Sequence, residues 1–331
     1  MALRVGVVGC GGAGSEHARA YQALGDLVEL VGVCDIASER TRRLAAAAGT
    51  RGYGDLGELL AAERPDLVSV CTAEYGHTEP VLAALAAGCH VLCEKPLAAT
   101  VADARRMVAA AAAAGRTLGI DYNYRHMPAF RGLRAELADG ALGDAVLAQV
   151  CAHAFCYHHA LDLIRFLFGE VAEVAAWVDD VPARREFPWH TPEEFLYVPS
   201  ISVSAILRTR SGATVSLNAS RLRSLEDTLL DVEVVGTRGR RALRGLPVND
   251  VRPRRVESWP PAADAFARLG GVVEGGAPFS LSDAFRASVG AFARALVAGQ
   301  AVPTDGRDGL AALLIDQAVV QAHRLGTSIR L

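Results

Sequence analysis

The feature that most constrains this chain is a glycine pattern near its start. Gly9-Cys10-Gly11-Gly12-Ala13-Gly14 follows the β-rich run Leu3-Arg4-Val5-Gly6-Val7-Val8 and opens a stretch that reads as a helix over residues 13–24. In a Gly-x-Gly-x-x-Gly turn the first glycine makes the tight bend and the second lets the backbone approach a pyrophosphate. The third lets the helix pack closely on its strand. The free N–H groups at the helix start, with Gly12 and Ala13 in the first turn, favour a phosphate. Strand-like runs at 28–34, 67–71, 90–93 and 117–120 then alternate with helical stretches at 38–48, 79–87 and 100–114. Ser38 and Thr100 are the expected N-caps of two of them. Strands apolar on both faces, separated by helices, predict a parallel, doubly wound α/β sheet.

Asp35 closes the second strand about twenty residues after the glycines, where a carboxylate accepts the ribose hydroxyls of a dinucleotide. It also repels a 2′-phosphate, so the pattern predicts NAD rather than NADP. Arg40, a turn into the next helix, would soften that preference if it faced the site. A plain helix cap at Asp35 is the structural alternative.

The alternation stops after Tyr122. A helix over 128–137, a strand over 144–151 and a short helix over 161–168 are followed by longer strands at 171–178, 201–209, 213–219 and 229–235. Ile201-Ser202-Val203-Ser204-Ala205-Ile206 alternates with period two, which buries one sheet face. Two helices, 284–298 and 307–323, close the chain. We therefore expect a dinucleotide-binding domain over 1–122 and an α+β domain with an open, mostly antiparallel sheet over 123–331. The proline- and aromatic-rich segment 182–199 reads as a lid or an oligomer arm, and 246–261 as a second proline-rich loop.

Composition excludes several classes. A net charge of -3 leaves no electrostatic footprint for nucleic acid. The basic run Arg238-Gly239-Arg240-Arg241 is short enough to be a solvated hairpin. The longest apolar stretch is too short to span a membrane. The seven cysteines sit mostly in apolar strand-like segments without a Cys-x-x-Cys pair, which fits buried reduced thiols in a cytoplasmic protein. The chain enters a strand at once, with no signal peptide expected.

Of 34 basic residues one is lysine, Lys95, and the rest are arginine. Base bias in the genome accounts for few lysines. It does not account for the survivor standing between Glu94 and Pro96 at the end of an apolar strand. A compact ammonium with rotatable donors does what a planar, permanently charged guanidinium cannot.

These residues carry a family resemblance over essentially the whole length. Gly9 to Gly14, Asp35, Thr72 with His77, the run Gly88-Cys89-His90-Val91-Leu92-Cys93-Glu94-Lys95-Pro96, Tyr122-Asn123-Tyr124-Arg125, His159-Ala160-Leu161-Asp162 and Asp308-Gly309-Leu310 resemble the Gfo/Idh/MocA oxidoreductases. The resemblance implies a bound NAD and hydride exchange with a secondary alcohol or ketone of a sugar, aminosugar or cyclitol. It implies that Lys95 holds the reacting oxygen and that Pro96 follows a cis peptide. Thr72, His77 and Glu94 would border the cofactor, although a helix-start role for His77 and a surface role for Glu94 are equally open. His159 would be the general base, with Tyr124, Arg125, His158 and Asp162 around the substrate.

The chain departs from the family at one place. Phe155 stands where many members carry an aspartate, and Tyr157 where glycine is usual. The substrate grip therefore differs, and Tyr157 or His158 is available as a replacement donor. His153, His158 and His159 bring no carboxylate or cysteine set with them, and no metal is expected. Three classes follow: a sugar or cyclitol dehydrogenase, a ketoreductase of deoxysugar or aminoglycoside antibiotic biosynthesis, and a non-catalytic cofactor-sensing regulator. Oligomerisation through the second domain, as a homodimer or homotetramer, is expected.

Overall fold

The computed structural model describes residues 2–179, 202–220, 230–243 and 280–331, in two compact units. The first comprises Met1–Asn123 and Phe285–Leu313; the second comprises Tyr124–Ala284 and Leu314–Leu331. The segments 182–199 and 246–261 lie outside the described residues.

In the first unit, β1 (Leu3–Val8), β2 (Val28–Cys34), β3 (Arg51–Tyr53), β4 (Leu67–Val70), β5 (His90–Cys93) and β6 (Leu118–Ile120) form one sheet among the described residues. Its order is β3-β2-β1-β4-β5-β6 with every pairing parallel. The order reverses beside β1, which is where a doubly wound sheet opens a crevice at its strand ends. Helices α1 (Gly12–Gln22), α2 (Ser38–Ala48), α3 (Leu56–Glu63), α4 (Thr78–Ala86) and α5 (Val101–Ala114) connect the strands. Thr100 caps α5 by accepting the Asp103 N–H. Ser38 is not a cap: it is the first residue of α2, whose N-cap is Ala37 without a side-chain bond.

Residues 285–313 join this unit, where the sequence reading ended it at 122. The reason is packing. Val289, Phe292 and Ala293 of α8 (Leu281–Val297) belong to the same core as Val5, Val7, Val33, Leu67 and Leu92. Gly119 makes room for the ring: a Cβ there would lie 2.1 Å from Phe292. Thr304 and Asp305 then extend the edge at β6, with the Thr304 hydroxyl donating to the Ile120 carbonyl at 2.6 Å.

The second unit holds α6 (Pro128–Ala138), β7 (Ala145–His153), α7 (Tyr157–Phe168), β8 (Val171–Asp179), β9 (Ser202–Thr209), β10 (Thr214–Ser220), β11 (Leu230–Gly236), β12 (Arg240–Leu243) and β13 (Ile329–Arg330). Among the described residues the sheet runs β12-β11-β7-β10-β9-β8-β13, antiparallel except for β7 against β10. Period-two alternation buries Val203, Ala205 and Leu207 with Val215, Leu217, Val150 and Val232 on one face. The opposite face carries exposed Leu147, Trp177, Ile206 and Val235. The final helix α9 (Gly306–Leu325) contributes Asp316 and Val319 to the buried interior of this unit. None of the seven cysteines forms a disulfide. No helix among the described residues is long and apolar enough to cross a membrane.

Candidate active site

The glycine turn is built as its spacing requires. Gly9 has φ +93, and a Cβ there would stand 2.4 Å from the Cys71 carbonyl oxygen. A Cβ on Gly14 would lie 1.8 Å from the Gly9 carbonyl oxygen, so α1 sits directly against the turn. Gly11 and Gly12 differ in kind, because a Cβ on either meets no protein atom within 4 Å. These two positions open onto free space at a helix N-terminus whose first turn contains no acidic side chain. That is the cradle an anionic pyrophosphate needs. Asp35 is half-buried and accepts the Cys10 N–H at 2.7 Å and the Ala37 N–H at 2.8 Å, one on each oxygen. Each oxygen keeps a second lone pair for a ribose hydroxyl. These residues fit a bound NAD.

Lys95 stands two residues beyond β5, after Glu94, and its peptide bond to Pro96 is cis. Buried histidines stand on both sides of this turn. His77 occupies the N-cap position of α4, its Nδ1 2.8 Å from the Pro96 carbonyl oxygen and its Nε2 3.1 Å from that of Thr72. Burial lowers its pKa, against the two carbonyls, which favour the charged ring. The Thr72 hydroxyl donates to the Gly76 carbonyl at 3.0 Å, which closes the loop.

On the other side the Glu94 carboxylate is buried, not on the surface. Its Oε2 accepts the Lys95 backbone N–H at 3.1 Å, and its Oε1 lies 3.1 Å from Nε2 of His17. The same His17 nitrogen is 3.1 Å from Oδ2 of Asp121, and Nδ1 is 3.1 Å from the Ser69 hydroxyl, itself bonded to Tyr21. Ser288 donates to the other Asp121 oxygen. His17 went unnoticed in the sequence. The signal was present: on α1 it shares a buried stripe with Gly14, Ala18 and Tyr21, where a polar residue needs a partner. His17, Glu94 and Asp121 form a group whose ligand-type atoms lie within 4.8 Å of one another. The imidazole already stands between the carboxylates as the cation would.

In the second unit, the residues expected around the substrate gather on α7 and the turn before α6. His159 is buried with its ring stacked on Tyr124, centroids 3.8 Å apart. The Tyr124 hydroxyl meets the Cys156 sulfur at 3.3 Å. Arg125 grips Asp162 with two parallel bonds of 2.7 and 2.5 Å, a bidentate pair one turn along from His159. Phe155 lies 55 % exposed just before the helix. Tyr157 and His158 turn inward: both are buried, and His158 Nε2 is 3.7 Å from Asp316. Burial raises the Asp316 pKa well above the ordinary carboxylate value, with the neighbouring Tyr157 opposing. Helix α7 begins four residues earlier than the sequence predicts, because the His-rich start is buried rather than looped.

A phosphate-binding glycine turn, a carboxylate closing β2 and a second unit with an open mixed sheet define the class: a two-unit, NAD-binding oxidoreductase. Residues 3–122 match the model described as an oxidoreductase family with an NAD-binding Rossmann fold, and residues 102–241 match the GFO/IDH/MocA C-terminal domain. The chain is similar to the D-apiose dehydrogenase of Paraburkholderia graminis, 30% identical over 98% of this chain and 88% of that one. It is likewise 30% identical to inositol 2-dehydrogenase 1 of Saccharopolyspora erythraea, over 99% and 96%. The WlbA dehydrogenase of Bordetella pertussis, solved in complex with NADH and UDP-GlcNAcA, superposes with a TM-score of 0.80 at 25% identity, covering 100% of this chain and 99% of that one. The chain belongs to the Gfo/Idh/MocA oxidoreductase family, whose members named here are sugar and cyclitol dehydrogenases.

Proposed function

We propose that this protein is an NAD(H)-dependent dehydrogenase of a secondary alcohol on a sugar, aminosugar or cyclitol. Bound NAD supplies the hydride acceptor. Lys95 donates a hydrogen bond from its ammonium to the reacting oxygen, stabilising the alkoxide-like charge that develops as the carbon loses hydride. His159 takes the hydroxyl proton on its imidazole, which is chemically apt near neutral pH. Tyr124 holds the His159 ring plane by stacking, and Arg125 with Asp162 fixes the next turn of the helix. Tyr157 and His158, directed at Asp316, are assigned to supporting α7 rather than to the proton transfer.

What supports this reading most is the treatment of the only lysine. Its backbone is held by Glu94, and the residue after it is held by His77. A regulator without chemistry has no use for so fixed a lysine. Phe155 supports a second, narrower reading: an exposed ring in place of a carboxylate suits an apolar, deoxygenated or aminated sugar, as in a ketoreductase of antibiotic biosynthesis. A second copy of the chain is the proposed partner, through the sheet face bearing Leu147, Trp177, Ile206 and Val235. Light scattering tests it, and a monomer at working concentration rejects it.

The catalytic assignment is tested by screening aminosugars, sugars and cyclitols with NAD and then measuring Lys95→Arg on the best substrate. That change keeps the charge and loses the compact donor. We expect turnover to fall on the order of 10²-fold or more, with NAD affinity near wild type. Normal turnover in Lys95→Arg would refute it.

A further inference from the structure

We propose that His17 is a positioning residue: through the Glu94 carboxylate it fixes the backbone of Lys95 and so the direction in which the lysine leaves β5. The inference rests on the assignment of Lys95 to the reacting oxygen, which the preceding proposal makes.

A carboxylate has two oxygens, and Glu94 uses them in two directions. Oε2 takes the Lys95 N–H, and Oε1 takes Nε2 of His17. The Glu94 N–H meanwhile donates to the Val70 carbonyl at 2.9 Å, so its main chain is still held by the sheet. The side chain thus bridges a fixed point in α1 to the first peptide beyond the strand. His17 can serve as that fixed point because it is itself held at both nitrogens, by Ser69 on one and by Glu94 and Asp121 on the other. The nitrogen that faces two carboxylate oxygens must carry a proton, while the Ser69 hydroxyl, able to donate or accept, suits Nδ1 in either form.

The groups facing His17 agree with a charged ring. They are Tyr21 on its own helix, Ser69 on β4, Cys71 just beyond it, Glu94 after β5, Asp121 after β6, and the Phe285 ring of α8. Burial opposes the charge, but Cys71, Asp121 and Glu94 outweigh it and raise the His17 pKa well above the ordinary range. For Glu94, burial is likewise outweighed by His17 and by the neighbouring lysine, and its pKa is lowered. Burial and the adjacent Glu94 raise the Asp121 pKa, with His17 opposing. The carboxylate whose ionised form the cluster favours is thus the one that holds Lys95.

The single lysine gives a direct test. Protein labelled with [15N]lysine has one backbone amide signal in a two-dimensional NMR spectrum, and it reports the N–H that Glu94 accepts. Glu94→Gln should move that signal, and His17→Asn should move it in the same direction, because asparagine reaches only the Nδ1 position. His17→Gln, which restores a donor near Nε2, should bring it part of the way back. Ser69→Ala, which removes the partner of Nδ1 and of the Tyr21 hydroxyl but leaves Nε2 on Glu94, should move it far less. With a substrate in hand, His17→Asn should lower kcat about 10²-fold while leaving the NAD Kd within a few-fold. An unmoved signal in His17→Asn would overturn the inference, as would a Ser69→Ala shift as large as that of His17→Asn. If His17→Asn does not fold, His17→Gln is read against Glu94→Gln in the same way. The NMR result needs no turnover, so a failure of the catalytic assignment, read from Lys95→Arg, is distinguishable from a failure here.

Discussion

Gly11 and Gly14 stand three residues apart in one motif, yet replacing each by alanine should have opposite consequences. At Gly14 the new methyl would sit 1.8 Å from the Gly9 carbonyl oxygen, against the 3.4 Å at which ordinary contact begins, so helix and turn must separate by about 1.6 Å. Neither side yields easily. The atom struck is backbone, and the turn is tied to β2 through the Gly9 N–H and the Cys34 carbonyl at 2.8 Å. Overpacking of this kind costs about 1–3 kcal/mol or more, and each kcal/mol lowers Tm by roughly 2–4 °C in a domain of this size. Displacing the helix start also withdraws N–H donors from the pyrophosphate. One such charge-assisted bond is worth about 1.5–3 kcal/mol, or roughly ten- to a hundredfold in Kd. At Gly11 the methyl meets no protein atom and the backbone, at φ -80, suits any residue. Tm should therefore hold in Gly11→Ala, while NAD affinity falls because the methyl fills the space the dinucleotide needs. Thermal unfolding without cofactor and a fluorescence titration with NADH separate the two effects. Wild-type NADH affinity in Gly11→Ala would mean that the pyrophosphate does not approach there, and an unchanged Tm in Gly14→Ala would refute the contact argument.

The remaining expectations are briefer. NAD should bind more tightly than NADP when both Kd values are measured at one salt concentration, because the 2′-phosphate would face Asp35; tighter NADP would point to Arg40. His159→Ala should lower turnover and remove the limb of the pH–rate profile near the imidazole pKa, whereas Phe155→Asp should weaken the native reaction and admit a polyol such as inositol. A full pH profile in His159→Ala would place the base elsewhere. The raised pKa of His17 makes it a group whose stabilisation is complete below the unfolded value of about 6.5 and is lost as pH rises through the folded value. From pH about 6.5 up to that folded value the wild type loses stability as pH rises, so its Tm advantage over His17→Gln should narrow. A gap that widens instead would mean that the ring is neutral in the fold.

Much of the first unit was legible because its strands are buried on both faces and write uninterrupted apolar runs such as Leu67-Val68-Ser69-Val70. The exceptions are instructive. Strand β3, Arg51–Tyr53, is short, at the sheet edge and largely exposed, so it has no apolar signature, and helix α3 behind it was passed over too. Ser38 has the composition of a cap but not its place, since α2 begins one residue earlier than a capping serine would allow. The membership of 285–313 in the first unit depends on Phe292 filling the space over Gly119, a contact across more than 170 positions that no local pattern encodes.

The site shows the same division between chemistry and support. Residues that would meet a ligand announce themselves by type and spacing: three glycines, a carboxylate after β2, a solitary lysine, a histidine on an amphipathic helix. Residues that hold them do not, because their partners are remote in the chain. His17 meets Ser69, Glu94 and Asp121 across gaps of 52, 77 and about a hundred positions. A buried imidazole with one partner removed leaves charge stranded in the interior, which costs about 3–5 kcal/mol. That penalty ties the three side chains to one arrangement. At this site the geometry it enforces is the setting of the peptide that carries Lys95.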